Sequence, residues 1–149
     1  MNRKSLIATA LGAIAFVLPA AAVDFEKEVL PTLENKCMGC HRAPYKTSSG
    51  RTKKPKGGLR MDNPTEMMKG GDSQEDGDKA IAAKSSAKSL VIARVTLDKD
   101  HDDFMPPQGE GKPKPLTDAE LTAFKAWIDS GADFGAWKGT AFNDDGTKK

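Results

Sequence analysis

Both cysteines of this 149-residue chain lie within five consecutive residues, Cys37-Met38-Gly39-Cys40-His41. The C-x-x-C-H spacing sets two thiols three positions apart, with a histidine directly after the second thiol. Near a helix end, such thiols can each add to one vinyl group of a haem, and the histidine is then carried beneath the iron as its proximal ligand. The motif therefore predicts one covalently bound haem c, attached through Cys37 and Cys40, with His41 on the iron.

Three other interpretations of the motif are a structural disulfide, a thioredoxin-like redox pair and half of a zinc site. A zinc site needs about four ligands, and only His101 remains as a convincing donor. The thioredoxin interpretation needs a βαβ context, which this strand-poor sequence lacks. A disulfide that closes so short a loop would stabilise the fold little. Haem attachment is the favoured interpretation.

The first 22 residues have the layout of a secretory signal. Arg3 and Lys4 form a positive n-region, residues 6–18 form an apolar h-region, and a run of alanines ends at Ala22. An uncleaved membrane anchor is the alternative, but Pro19 and an apolar stretch shorter than the ~20 residues of a spanning helix disfavour it. We expect cleavage near Ala22, a periplasmic protein and no membrane span in the mature chain.

Charge and composition describe the rest of the chain as one soluble, loop-rich domain. Without residues 1–22, the chain carries 21 basic and 21 acidic residues, so its formal charge is zero. A neutral chain gives no reason to expect a nucleic-acid partner, because phosphates require a cationic surface. We expect one haem c-binding domain over residues 23–137, a solvated basic loop at 51–56 and a frayed polar tail over residues 138–149.

Helix signals are clearest at the two ends of this domain. Asp24 can cap a first helix that runs to the cysteine motif, and Pro31 predicts a kink or a fresh start within it. Thr117 and Glu120 have the spacing of a capping box, which predicts a last helix over about residues 118–130. This helix places Leu121, Phe124, Trp127 and Ile128 on one face, and Gly131 stands at the position of a left-handed cap.

The middle of the chain gives weaker signals. We expect a long exposed loop over residues 42–58, a short helix at 65–69, a Gly-Asp-rich turn at 70–78 and a helix over 86–96. In the last of these, Leu90, Val91 and Val95 recur at helical spacing. Neither a repeat nor an alternating strand pattern is present, so the sequence predicts a small all-α globule.

The sixth iron ligand is predicted from the segment Phe104-Met105-Pro106-Pro107. Proline after Met105 favours an extended backbone, and the proline pair stiffens a loop that could present the sulfur. His101, or an open position, is the alternative, although three neighbouring aspartates indicate a solvated histidine. We expect Met61, Met67 and Met68 to be core or haem-edge residues and Met38 to serve as spacing.

Several segments occur in a characteristic order: Phe25 to Pro31, Cys37 to His41, Gly57-Gly58-Leu59-Arg60-Met61-Asp62, Gly70-Gly71-Asp72, Ser89-Leu90 to Val95, Met105-Pro106-Pro107 and Trp127 to Ala132. This order resembles that of planctomycete-type cytochrome c domains, over about residues 24–133. The loop at 42–56 looks longer and more basic than the family pattern, and Ala82-Ala83-Lys84 stands where a Pro-Gly turn is often found.

The resemblance implies an all-α, cytochrome c-like fold in which Cys37 and Cys40 carry the haem, His41 is the proximal ligand and Met105 the distal one. It also implies that the helix with Trp127 crosses the first helix near Phe25. We expect a monomeric one-electron carrier with transient redox partner proteins and no catalysis by the polypeptide. The alternatives are a haem enzyme or gas or redox sensor whose sixth position opens, and a non-haem structural or interaction domain closed by a disulfide.

Overall fold

The computed structural model describes residues 23–76 and 78–149. The predicted signal and its cleavage site at Ala22 lie outside the described residues. Within the described ranges, every helix is too short or too polar to cross a bilayer.

The first helical segment occupies residues 25–37 and leads directly into the cysteine motif. An α-helical turn, α1 (Leu30–Thr32), lies between two π-helical turns, Phe25–Val29 and Leu33–Cys37. Asp24 caps the segment as predicted, because its carboxylate accepts the Lys27 N–H. The winding changes at the turn that contains Pro31, where proline supplies no backbone N–H for a helical hydrogen bond.

A small antiparallel ladder follows the motif, so the all-α prediction is wrong in this detail. Strand β1 (Tyr45–Lys46) pairs with β2 (Thr52–Lys53). The connecting turn closes because Gly50 N–H donates to the Thr47 carbonyl and Thr47 N–H donates to that of Arg51. Strands of two residues are too short to show an alternating pattern, which is why the sequence does not reveal them.

The middle elements are short. They comprise 3₁₀ turns at Lys56–Gly58, Asp72–Asp76 and Ser86–Lys88, and the helices α2 (Pro64–Lys69) and α3 (Leu90–Val95). Helix α2 confirms the short helix predicted there, and Asn63 caps it.

The continuous helix predicted over residues 86–96 is wrong, because the chain is extended at Ser89. The Ser89 hydroxyl donates to the Ser85 carbonyl and accepts the Ala82 N–H, so it bonds to the preceding loop instead. Helix α3 buries Val91 and Ile92, whereas the predicted apolar positions Leu90 and Val95 are only half-buried.

The last helix, α4 (Asp118–Asp129), matches the predicted start. Thr117 and Glu120 form both hydrogen bonds of the capping box. At the end of the helix, Gly131 has φ 121° and Ala132 has φ 58°, so the positive φ expected at Gly131 is present and extends to Ala132. Ala132 N–H donates to the Trp127 carbonyl at 3.0 Å, and this bond satisfies a terminal carbonyl of the helix.

The crossing of α4 with the first helical segment forms the centre of the fold. The ring centroids of Phe25 and Trp127 lie 5.0 Å apart, which confirms the predicted crossing. Phe134 and Trp137 pack on the same rings, and the Trp127 indole N–H donates to the Asp133 carbonyl. This aromatic cluster joins a larger core that includes Val29, Leu33, Met38, Met61, Met67, Ile81, Val91, Ile92, Phe124 and Ile128.

The methionines divide between core and surface. Met61 and Met67 are buried, as predicted, whereas Met68 is 40% exposed and is not a core residue. Met38 is only 1% exposed, so the expectation that it serves merely as spacing within the motif is wrong. Met38 belongs to the hydrophobic core, and it links the cysteine motif to that core.

Residues 138–149, predicted as a frayed tail, instead fold back along the domain. Thr140 N–H donates to the Asp62 carbonyl, and the Thr140 hydroxyl donates to the Glu34 carboxylate. Lys148 forms an ion pair with Glu34, and Phe142 packs against the core. Most of these contacts are polar, so a search for apolar periodicity does not find them.

Trp127→Ala should lower the free energy of unfolding by about 3–5 kcal/mol, as truncations of large buried aromatics do. The reason is that Trp127 is fully buried and packs on both Phe25 and Phe134. Chemical denaturation of the purified protein measures the change. The exposed Thr122 of the same helix provides a control, because Thr122→Ala should change stability by less than about 0.5 kcal/mol. A loss below about 1 kcal/mol for Trp127→Ala would contradict the assignment.

Candidate functional site

The cysteine motif forms one compact turn at the end of the first helical segment. The Cys37 carbonyl accepts two hydrogen bonds, from Cys40 N–H at 3.1 Å and from His41 N–H at 2.9 Å. Met38 N–H continues the helical pattern by donating to the Leu33 carbonyl at 2.8 Å. The two thiols and the imidazole are therefore brought together by local backbone geometry.

Both cysteines are free thiols. Cys37 packs against the hydrophobic core, although part of its surface remains accessible. The loss of solvent around it raises the pKa of the Cys37 thiol to about 12, so this thiol is protonated at neutral pH. Because neither cysteine is used in a disulfide, both thiols remain available for addition to two vinyl groups.

His41 has an unsatisfied polar atom. Burial lowers the pKa of its imidazole, while backbone groups of Leu59 and Lys56 raise it, and the burial effect is the larger. The buried Nδ1 makes no hydrogen bond of normal geometry with any residue in the described ranges. A buried ring nitrogen without a protein partner is unusual, and a neutral imidazole is the form that binds metals.

The surroundings of the motif are apolar and rich in sulfur. Met38, Met61 and Met67 are buried together with Leu33 in the core against which Cys37 packs. Methionine side chains are flexible and adapt to irregular shapes, so this region suits a large planar apolar group.

The loop that follows the motif returns to it. Lys56 N–H donates to the Cys40 carbonyl at 3.0 Å, and Met61 N–H donates to the His41 carbonyl at 2.8 Å. The stretch from residue 42 to residue 60 is thus closed at its base by two hydrogen bonds to the motif. Closure of the loop in this way fixes the backbone on both sides of His41.

Asp62 secures this closure. Its buried carboxylate accepts the Ala43 N–H at 2.9 Å and two hydrogen bonds from the Arg60 guanidinium, at 2.9 and 3.0 Å. Its carbonyl accepts the Thr140 N–H from the C-terminal segment. Asp62 therefore joins the residues after His41, the returning loop and the C-terminus. This role of Asp62 is not predicted by the sequence, because neither spacing nor periodicity shows which backbone groups a carboxylate will meet.

The glycine pairs Gly57-Gly58 and Gly70-Gly71 approach each other closely. A Cβ at Gly71 would lie 2.2 Å from the Gly57 carbonyl oxygen and 2.8 Å from the Leu59 nitrogen, and neither backbone atom can yield cheaply. A side chain at position 71 would therefore push the loop that carries Leu59 away from the core. This steric limit explains why glycine stands here.

Met105 lies on a separate segment. Its side chain is half-buried between the buried residues Phe104 and Pro106, and its N–H donates to the Arg94 carbonyl at the end of α3. An ion pair between Arg94 and Asp103 further ties this segment to α3. The backbone hydrogen bond of Met105 thus joins its segment to α3. The assignment of Met105 as an iron ligand stays a prediction.

His101 is exposed, in accordance with the expected solvated histidine. Its imidazole Nδ1 accepts the Asp103 N–H at 3.0 Å, and its backbone N–H donates to the Asp98 carbonyl. These bonds hold the imidazole in a local turn at the surface. In the described residues no group of three or more His, Cys, Asp or Glu side chains is placed to hold a metal ion.

The residues of the motif fit a covalently bound haem. Two free thiols lie on one turn, burial lowers the pKa of the adjacent imidazole and so favours its neutral form, and Cys37 packs against a core that contains methionine and leucine side chains. Cys37 and Cys40 would hold the porphyrin edge, and His41 would ligate the iron.

Asp62→Ala should lower the free energy of unfolding by about 1–3 kcal/mol, because it leaves the Ala43 N–H and the Arg60 guanidinium without their acceptor. Thermal or urea unfolding of the purified protein measures the loss. Asp100→Asn is the control, since Asp100 is exposed, and it should leave stability nearly unchanged. Equal stabilities for the two variants would show that the Asp62 contacts contribute nothing.

Comparison with known proteins identifies the family. Residues 37–109 match the family model described as Planctomycete cytochrome C. The match begins at the first cysteine of the motif and extends beyond Met105, so it includes all four predicted site residues. No curated protein and no solved structure matches the chain. The segment 37–109 thus contains the haem motif, the loop secured by Asp62 and the Met-Pro-Pro segment in the order of that family, and it is a planctomycete-type cytochrome c domain.

Proposed function

We propose that the protein is a periplasmic one-electron carrier with one haem c. In this proposal Cys37 and Cys40 form thioether bonds to the haem, His41 is its proximal ligand and Met105 is its distal ligand. The observation that carries the proposal is the turn at residues 37–41, where two free thiols and the imidazole that follows them lie on one turn within a cytochrome c domain.

A bound haem c supplies an iron that alternates between the ferrous and ferric states. The chain's own residues determine how it is held. Cys37 and Cys40 fix its edge, the hydrogen bonds to the Cys37 and His41 carbonyls fix the backbone around the imidazole, and Leu33, Met61 and Met67 exclude water. A rigid, apolar surrounding suits electron transfer, because little has to reorganise when the charge changes.

The periplasmic location rests on the predicted signal in residues 1–22. Transient redox partners and a monomeric state are part of the same proposal, since a small domain that exchanges single electrons needs only brief contacts.

A haem enzyme or sensor is the second candidate, and it needs a polar group that can act at an open sixth position. The chain has two histidines, and His101 is exposed and held in a surface turn by its bond from Asp103. This placement favours the carrier over the enzyme.

The covalent bond can be tested by extraction. Protein produced with export to the periplasm should keep its haem through acid-acetone treatment and denaturing electrophoresis, because thioether bonds survive both. Cys37→Ala and Cys40→Ala should each weaken attachment, and His41→Ala should change the optical spectrum by removing the proximal ligand.

Two results would decide against covalent attachment. The first is complete extraction of the colour from the unaltered protein. The second is a haem-stained band of full intensity after replacement of both cysteines. Thr122→Ala, which leaves the motif untouched, controls for losses caused by handling.

Met105 distinguishes a carrier from a haem enzyme. A thioether on ferric iron gives a weak near-infrared charge-transfer band, and Met105→Ala should abolish it. The same variant should have a lower reduction potential and bind carbon monoxide or cyanide more readily, because methionine favours the ferrous state and occupies the sixth position.

His101→Ala is the matched control and should leave the band and the potential unchanged, since His101 is exposed. If the unaltered protein lacked the band and His101→Ala shifted the Soret spectrum, methionine ligation would be excluded and a bis-histidine haem would replace it.

A further inference from the structure

Positive charge is concentrated in the part of the chain around the haem motif. Residues 35–61 contain eight Lys and Arg and no Asp or Glu, whereas residues 62–149 contain 17 acidic and 12 basic residues. The positive charge is thus unevenly distributed along the chain, although the net charge is close to zero.

Five of these cations are exposed and lack an ionic partner among the described residues. Lys36 pairs with Glu120, Arg60 pairs with Asp62, and the Arg42 guanidinium lies over the rings of Tyr45 and Phe142. The remaining five form what we name the basic hairpin surface: Lys46, Arg51, Lys53, Lys54 and Lys56.

The position of this surface is fixed relative to the motif. Lys56 N–H donates to the Cys40 carbonyl at 3.0 Å, and the ladder of β1 and β2 orders the chain between Tyr45 and Lys53. Lys53 is three residues from Lys56, a span of at most about 11 Å. The C-terminal segment supports the hairpin from one side, since Lys46 N–H donates to the Asp144 carbonyl. Lys53, Lys54 and Lys56 are therefore held close to the turn that carries the two thiols, and the ladder connects Lys46 and Arg51 to them.

The composition of the surface favours a protein partner over a membrane or a nucleic acid. An apolar face that enters the lipid strengthens membrane binding, and residues 46–56 contain no large apolar side chain, while the neighbouring Tyr45 is half-buried beneath Arg42. Single-stranded nucleic acids require exposed aromatic rings for stacking, and the hairpin offers only this one covered ring.

On these grounds, we propose that the basic hairpin surface is the docking site for an acidic surface of a redox partner protein. The proposal rests on the proposed function, because docking beside the motif would bring the partner close to the haem. Long-range attraction between opposite charges speeds such encounters by about 10- to 1,000-fold, and salt weakens it.

The experiment uses the haem-loaded protein and gold electrodes that carry a carboxylate-terminated alkanethiol monolayer, as a stand-in for an acidic protein surface. We expect adsorption with a reversible wave at about 10 mM salt and its loss at about 1 M salt, where the screening length falls to about 3 Å. The double variant Lys53→Glu, Lys54→Glu should reduce the adsorbed amount at low salt at least about tenfold.

The matched control is Lys79→Glu, Lys88→Glu, which changes the net charge equally at two exposed lysines outside residues 35–61. It should keep adsorption within about twofold of the unaltered protein. An equal loss in both double variants would show that net charge alone drives adsorption and would overturn the proposal, as would full adsorption of the Lys53, Lys54 variant.

Two further measurements separate the remaining outcomes. Co-sedimentation of the unaltered protein with phosphatidylglycerol vesicles at about 0.15 M salt would overturn the proposal in favour of a membrane, and we expect none. A redox titration with soluble mediators tests the proposed function independently. A normal one-electron couple in solution, together with no adsorption on the carboxylate monolayer at low salt, would reject only the docking site. The absence of a couple would reject the electron carrier itself.

Discussion

The packing of Trp127 on Phe25 is the contact on which the rest of the structure depends. It fixes α4 against the first helical segment, and that segment ends at Cys37. The cysteine motif is therefore the direct continuation of an element held by the largest buried side chain of the chain. Phe134 and Trp137 pack around the same crossing, so the residues beyond α4 also contribute to the core. Burial of several aromatic rings at one crossing compensates for the shortness of the other helices.

A second constraint acts on the other side of the motif. Asp62 collects hydrogen bonds from Ala43, Arg60 and, through its carbonyl, Thr140. A buried carboxylate is costly unless donors surround it, and here its donors are the neighbouring Arg60 and the Ala43 N–H, while Thr140 binds the Asp62 carbonyl. The hydrogen bonds that Asp62 requires when buried therefore position the basic loop and the C-terminal segment relative to the motif.

Much of the helical framework could be predicted from the sequence, because its signals are local. The capping box of Thr117 and Glu120, the cap at Asp24 and the apolar face of α4 each depend on residues within one or two turns. The failures occurred where a distant contact decided the outcome. Ser89 breaks the predicted helix by bonding to the preceding loop, and residues 138–149 are held by Glu34 and Asp62.

By itself, the sequence determined the chemistry of this protein: C-x-x-C-H places two thiols and an imidazole on one turn, since the hydrogen bonds to the Cys37 carbonyl span at most four residues. Only the tertiary structure decided the surroundings of that turn. It assigned Met38 to the core, left the His41 Nδ1 without a partner among the described residues, and set the basic hairpin beside the motif. The physical reason is that burial and charge proximity depend on residues far apart in the chain, for which neither periodicity nor spacing provides a signal.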